Sequence, residues 1–146
     1  MLELVPIPEN LPEDHEFGNV ADQKEILQMS LDYYKKIGFV IPWIGYFARM
    51  DGQWVGTAGF KGKPVNGKIE IAYSTFEEQR NKGIATEICR QMVRLAAVSD
   101  TSVTITARTL PENNDSVGVL KRNGFKLLGT VWDEVDGNIW EWIYPR

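Results

Sequence analysis

The sequence predicts one mixed α/β domain whose elements run β-α-β-β-β-α-β-α-β-β. Three observations carry this reading. Two long stretches place apolar residues at helical spacing. Several short runs alternate with a period of two and are punctuated by Asp-Gly pairs. With 146 residues, no internal repeat and no Gly/Ser/Pro-rich linker, the chain has room for a single core spanning residues 1–146.

Taken in order, Leu2 to Ile7 reads as an edge strand closed by Pro6 and Pro8. From Ala21 to Ile37 the residues Ile26, Met29, Leu31, Tyr33, Tyr34 and Ile37 recur at helical spacing, and Gly38 supplies the stop. Trp43–Arg49 and Gln53–Phe60 are strand-like and flank Asp51-Gly52, a hairpin signal. Lys68–Phe76 alternates, with Ile69, Ile71 and Tyr73 on one face and Glu70, Ala72 and Ser74 on the other. Lys82–Val98 is the strongest helix: Ile84, Ile88, Met92, Leu95 and Ala96 form its buried stripe, and Glu87, Arg90, Gln91 and Arg94 lie outside it. Ser102–Ala107 is a strand rich in β-branched residues. Ser116–Arg122 is a short helix ended by Asn123-Gly124. Phe125–Val131 and Ile139–Tyr144 close the order as two strands joined through Asp136-Gly137.

Composition narrows the function classes. The apolar share of 43% and charged share of 25% are those of an ordinary folded domain. A net charge of −4 and a pI near 5.1 argue against nonspecific nucleic-acid binding, which needs a basic face, and favour a cationic partner such as an amine. A single cysteine, Cys89, leaves no internal disulfide and fits a reducing cytoplasm. With His15 as the one histidine, a zinc site is not expected. No membrane-length apolar run and no secretory leader is visible. Cys89 sits beside the buried stripe without a nearby His, so it reads as core rather than nucleophile.

The segment Gln79-Arg80-Asn81-Lys82-Gly83-Ile84-Ala85-Thr86 lies between a strand and the strongest helix. A helix start offers unpaired N–H groups and a partial positive charge. Gly83 lets a ligand approach the backbone, Ala85 keeps the next contact small, and Arg80 and Lys82 add cations at the same mouth. The pattern suits a pyrophosphate, yet it matches neither G-x-G-x-x-G nor G-x-x-x-x-G-K-[ST].

Arg80-Asn81-Lys82-Gly83-Ile84-Ala85 resembles the R-x-x-G-x-G/A acyl-CoA loop of the GNAT superfamily of N-acetyltransferases. Asn113-Asn114-Asp115-Ser116-Val117-Gly118-Val119-Leu120-Lys121-Arg122-Asn123-Gly124-Phe125 resembles the N-x-x-S-x-x-V-L-x-K-x-G-F segment of its branch of ribosomal-protein N-terminal acetyltransferases. Glu70-Ile71-Ala72-Tyr73 and Ala85-Thr86-Glu87 are similar to that branch's E-I-G-Y and A-T-E signatures. The resemblance implies a mixed, mostly antiparallel sheet of about seven strands with helices on both faces. It also implies acetyl-CoA as cosubstrate, no metal, and direct transfer of the acetyl group to a primary amine in a ternary complex.

Carried over residue by residue, the resemblance has Tyr73, Ser74 and Thr75 supplying a strand edge for pantetheine. Arg80, Asn81, Lys82, Gly83, Ile84, Ala85 and Thr86 hold the pyrophosphate. Asn113 bonds the pantetheine arm or caps the following helix. Ser116 lies near the thioester sulfur, and Arg122 reaches the 3′-phosphate end. Many relatives use a tyrosine acid at the position of Leu120, which has no proton to give. Ser116 or a water then takes that role, or the thiolate leaves unprotonated. Glu70, mid-strand beside the expected acetyl position, is the candidate base acting through water. Glu87 is expected to favour the helix dipole.

How much base is required depends on the amine. An α-amine with a pKa of about 7.8 is roughly a tenth neutral at pH 7, whereas a lysine amine near 10.4 is almost wholly charged. A protein N-terminus, a small amine (polyamine, amino acid or aminoglycoside) and a non-catalytic acyl-CoA-binding module all remain open. A homodimer through the strands at the C-terminal edge is a further expectation.

Overall fold

The elements follow the expected order: β1 (Leu2–Pro6), α1 (Ala21–Ile37), β2 (Gly45–Met50), β3 (Gln53–Phe60), β4 (Lys68–Thr75), α2 (Ile84–Ser99), β5 (Thr104–Thr109), α3 (Asp115–Arg122), β6 (Lys126–Asp133) and β7 (Gly137–Ile143). They are seen in a computed structural model that describes residues 1–11, 17, 21–80 and 82–145. A short 3₁₀ turn over Glu77–Gln79 follows β4. The seven strands form one sheet in the order β1-β2-β3-β4-β5-β7-β6. Only β4 and β5 run parallel, joined by the crossover through α2; every other neighbouring pair is antiparallel.

Local hydrogen bonds explain where the bounds differ from expectation. Trp43 and Ile44 do not begin β2, because their amides are taken by Val40 and Pro42 at 2.7 and 2.8 Å. Ser102 gives its amide and hydroxyl to Asp100 Oδ1, so β5 starts at Thr104. Phe125 is withheld from β6 because its amide bonds the Leu120 carbonyl, while Gly124 N–H bonds Lys121; this pair of bonds is a Schellman cap on α3. Asp51 and Gly52 both take positive φ, 50° and 81°, as the tight β2–β3 hairpin needs.

The helices pack on both faces. A Cβ on Gly45 would meet the Tyr34 hydroxyl of α1 at 3.3 Å. A Cβ on Gly56 would collide with the Ser74 carbonyl oxygen and press on Ile88 of α2, so no larger residue fits there. Gly59, the partner of Gly45, lies three residues from Gly56, which puts α1 and α2 on opposite faces. Tyr34 Oη donates to the Ile7 carbonyl and accepts from Gly45 N–H, both at 2.9 Å, which pins α1 to the sheet.

α2 buries Ile84, Ile88, Cys89, Met92, Val93 and Ala96; Leu95, expected in that stripe, is only half-buried. Ile88 and Met92 are wholly removed from water, worth about 2 kcal/mol each. α1 buries Leu27 and Tyr34, while Met29, Tyr33 and Ile37 stay exposed. His15 lies outside the described residues. No helix among the described residues is long and apolar enough to cross a membrane.

Candidate active site

The ladder between β4 and β5 stops early. Its last pair is Ile71 with Ala107, although β4 continues to Thr75 and β5 to Thr109. Beyond that rung each strand keeps only its outer neighbour. Alternation decides which backbone groups face the gap. The Glu70 carbonyl accepts from Lys61 N–H at 3.0 Å and Phe76 N–H donates to Val55 at 2.9 Å, so Glu70, Ala72, Ser74 and Phe76 turn their main chain toward β3. Tyr73 and Thr75 therefore aim theirs into the gap. Of the three residues expected to provide this edge, Ser74 does not.

The gap opens onto a cleft of about 400 Å³ lined by Tyr73, Ser74, Thr75, Arg80, Gly83 to Thr86, Ser116 and Arg122. Gly83 stands before α2 with φ 74°, a left-handed conformation that disfavours any side chain, and a Cβ there would meet no atom. Among the described residues no side chain caps the start of α2, whose N-cap is Gly83. Its first amides thus present their partial positive charge to the cleft. Arg122 Nε donates to Thr86 Oγ1 at 3.1 Å, and Asn123 Nδ2 donates to the Thr86 carbonyl at 3.1 Å, which fastens α3 against the start of α2. Thr75 Oγ1 is buried at the cleft without a hydrogen-bond partner.

Two expectations move. Lys82 is exposed and does not line the cleft; its ammonium instead donates to Gln79 Oε1 at 3.3 Å, and Gln79 does line it. Asn113 is exposed in a separate depression beside Lys121 and Trp140. Its neighbour Asn114 faces the cleft and caps α3, accepting from Val117 N–H at 3.1 Å. Asn81 lies outside the described residues.

A second chamber adjoins the first through Tyr73, Asn114 and Ser116, which line both. Glu70, Lys61, Arg108, Asp133 and Asp136 also line it. Glu70 is ion-paired at both oxygens, Oε2 to Lys61 Nζ at 3.0 Å and Oε1 to Arg108 Nε at 3.4 Å. These two ion pairs were not visible in the sequence. Arg108 is a hub, since it also approaches Glu141 at 3.7 Å and Asp133 at 3.8 Å. The Asp136 and Val135 amides hold the Asp133 carboxyl below its usual range, so it stays charged. Carboxylates outnumber cations here, which favours an incoming ammonium.

Leu120 is fully buried in the core, so no donor faces the cleft from its position. Cys89 is equally buried, and its thiol is pushed up to about 12, chiefly by burial. Burial likewise raises the Tyr73 phenol, which packs against that thiol. Cys89 is a core group, and half-buried Tyr73 packs between it and the two chambers. Glu87 pairs with Arg90 at 2.6 Å in the first turn of α2, and that guanidinium holds its carboxyl low. Among the described residues no cluster of His, Cys, Asp and Glu is arranged to hold a metal ion.

A model of the acetyltransferase (GNAT) domain matches residues 11–126. The chain belongs to the GNAT acetyltransferase family. Among solved structures, the GNAT chain is similar to the ribosomal-protein α-N-acetyltransferase RimL in complex with coenzyme A, at 16% identity and a TM-score of 0.69 over 97% of this chain and 92% of that one. It is similar to the aminoglycoside acetyltransferase AAC(6')-Ib with coenzyme A, at 22% identity and a TM-score of 0.61, covering 70% of this chain and 66% of that one. The chain therefore spans just under two thirds of that enzyme's length. A ribosomal-protein alanine acetyltransferase from Vibrio fischeri aligns at 15% identity with a TM-score of 0.62, over 83% and 68% of the two chains. No curated protein matches the sequence.

Gly83 and Ser116, both named from the sequence, line the cleft; the sequence reading did not single out every residue of the two chambers. It missed Arg108, Lys61, Gln79 and the Thr75 hydroxyl. Lys61 and Arg108 reach the site through the register between strands, whereas Gln79 and Thr75 stand in segments already singled out and had no side-chain role assigned there.

Proposed function

We propose that this GNAT domain is an acetyl-CoA-dependent N-acetyltransferase acting on a primary amine. The observation that carries it is the parted pair β4 and β5, whose gap runs directly onto an uncapped helix start flanked by Arg80 and Arg122. The residues fit the coenzyme in three respects: the orphaned Thr75 hydroxyl awaits a partner, the Gly83 position leaves space, and two guanidinium groups attend the anion end.

In this reading the amides of Ile84, Ala85 and Thr86 hold the pyrophosphate with Arg80 and Arg122. The gap-facing main chain of Tyr73 and Thr75 aligns pantetheine as an added strand. When bound, acetyl-CoA supplies an activated acyl carbon and a thiolate leaving group. Ser116, at the junction of the two chambers, donates its hydroxyl near the sulfur in place of an absent tyrosine. Glu70 accepts the amine proton through water, released from Lys61 or Arg108 as the ammonium arrives. The surplus of carboxylates around Arg108 draws the cationic amine in.

The test is a pair of variants at one position. Gly83→Ala keeps the left-handed strain and adds only a methyl group, so it should lower stability by about 1–2 kcal/mol and retain acetyl-CoA binding. Gly83→Glu adds bulk and negative charge to the cradle and should abolish binding by calorimetry while remaining folded by circular dichroism. Unchanged affinity in a folded Gly83→Glu protein would refute the site.

A further inference from the structure

Helix α1 carries more apolar surface than its packing uses. Leu27 and Tyr34 are buried against the sheet. Ile26, Met29, Tyr33 and Ile37 follow one another at i, i+3, i+7 and i+11, a separate stripe rotated away from the buried pair. Met29 is 70% exposed, Tyr33 40% and Ile37 42%. Together with Trp43 and Phe60 this stripe lines a groove of about 430 Å³ between α1 and the sheet.

Two features give the groove an occupant. It adjoins the Glu70 chamber, because Lys61 and Ala72 line both. Among the described residues no carboxylate lines it, and the one charged member is Lys61. The neighbouring chamber, by contrast, is lined by Glu70, Asp133 and Asp136. A polyamine or an aminoglycoside would have to lay further ammonium groups along this wall without a counter-ion, beside a lysine. An amine with one cationic end and an apolar body meets charge where it needs it and hydrocarbon elsewhere.

We infer that the acceptor is a primary amine joined by a short linker to an aryl or branched-alkyl group, the amine lying in the Glu70 chamber and the apolar group in the α1 groove. This rests on the acetyltransferase reading above. The same chemistry is offered by a free arylalkylamine and by a peptide that begins with a large apolar residue.

The experiment measures thiol release at saturating acetyl-CoA with phenethylamine, isoamylamine, ethanolamine and spermidine, and with short peptides beginning with Phe or Ser. The apolar amines should exceed ethanolamine and spermidine in kcat/KM by about tenfold or more. A preference for the Phe peptide over phenethylamine assigns the source to a peptide, and the reverse assigns it to a small molecule. Met29→Asn and Tyr33→Asn, on the exposed side of α1, should raise the KM for phenethylamine about tenfold and leave ethanolamine within about twofold. Equal losses on all amines, or no preference among them, would overturn the inference while leaving the acetyltransferase reading intact. Calorimetric titration of phenethylamine into the protein with coenzyme A separates the two further. Groove-dependent binding without turnover supports the inference and removes the catalytic reading. A change in sedimentation for the two variants, with no change in KM, would mean that a second copy covers the groove and would also overturn it.

Discussion

Arg122 on α3 donates from Nε to the Thr86 hydroxyl on α2 at 3.1 Å. The contact fixes a guanidinium at the rim of the cleft and ties the last turn of α3 to the first turn of α2. Arg122→Ala should weaken acetyl-CoA affinity about tenfold, the worth of one charge-assisted phosphate contact. The loss should shrink as salt rises, because screening already weakens the wild-type contact. Calorimetry at two ionic strengths measures both; a salt-independent loss would mean that the residue acts through the helix contact alone.

Thr75 offers effects of opposite sign. Its Oγ1 is buried and unpartnered, so Thr75→Val removes an unmet polar group at nearly constant shape. The unliganded protein should gain about 1 kcal/mol, seen as a melting temperature raised by a few degrees. Affinity for acetyl-CoA should fall about fivefold if that hydroxyl bonds the coenzyme. A variant that is both less stable and unchanged in binding would show the hydroxyl to be satisfied within the protein.

Glu70→Gln removes the carboxylate shared by Lys61 and Arg108. As the base, Glu70 is expected to contribute about a hundredfold in kcat/KM, with a larger loss for lysine-like amines than for α-amines. Equal losses on both amine types would make Glu70 a clip between strands rather than a proton acceptor.

Cys89 sets an alkaline signature. Its folded thiol is pushed up to about 12 from an ordinary 9.0, chiefly by burial. Below the ordinary value both folded and unfolded chains hold the proton, and the contribution is complete. Above it the unfolded chain loses the proton first, so stability falls as pH rises from about 9 toward 12. Urea midpoints near pH 8 and pH 10.5 should therefore diverge in the wild type and diverge less in Cys89→Ala. Native Cys89 should also resist alkylation at pH 8 and react once the chain is unfolded.

What the sequence made legible was local. Asp51-Gly52, Gly83 and Gly124 each mark a backbone that only certain residues adopt, and each stands where expected. The stripe of α2 was read in large part: Val93 was missed, Cys89 was placed beside rather than in it, and Leu95 is only half-buried. Asn113 and Asn114 are chemically identical neighbours, and only the start of α3 decides which one caps it. On α1 periodicity could not separate a face that meets the sheet from a face that meets a groove, since both are apolar. The partners of Glu70 were illegible for another reason: Lys61 and Arg108 arrive from adjoining strands, by register and not by spacing.

The four rungs between β4 and β5, Lys68 with Thr104 through Ile71 with Ala107, are the whole backbone seam between two subsheets of four and three strands. A molecule that threads the open end of that seam becomes an extra stave, and it stitches the halves where the polypeptide leaves them unsewn. On the proposed reading, occupancy and mechanical integrity become one variable, with the coenzyme at once reagent and mortar.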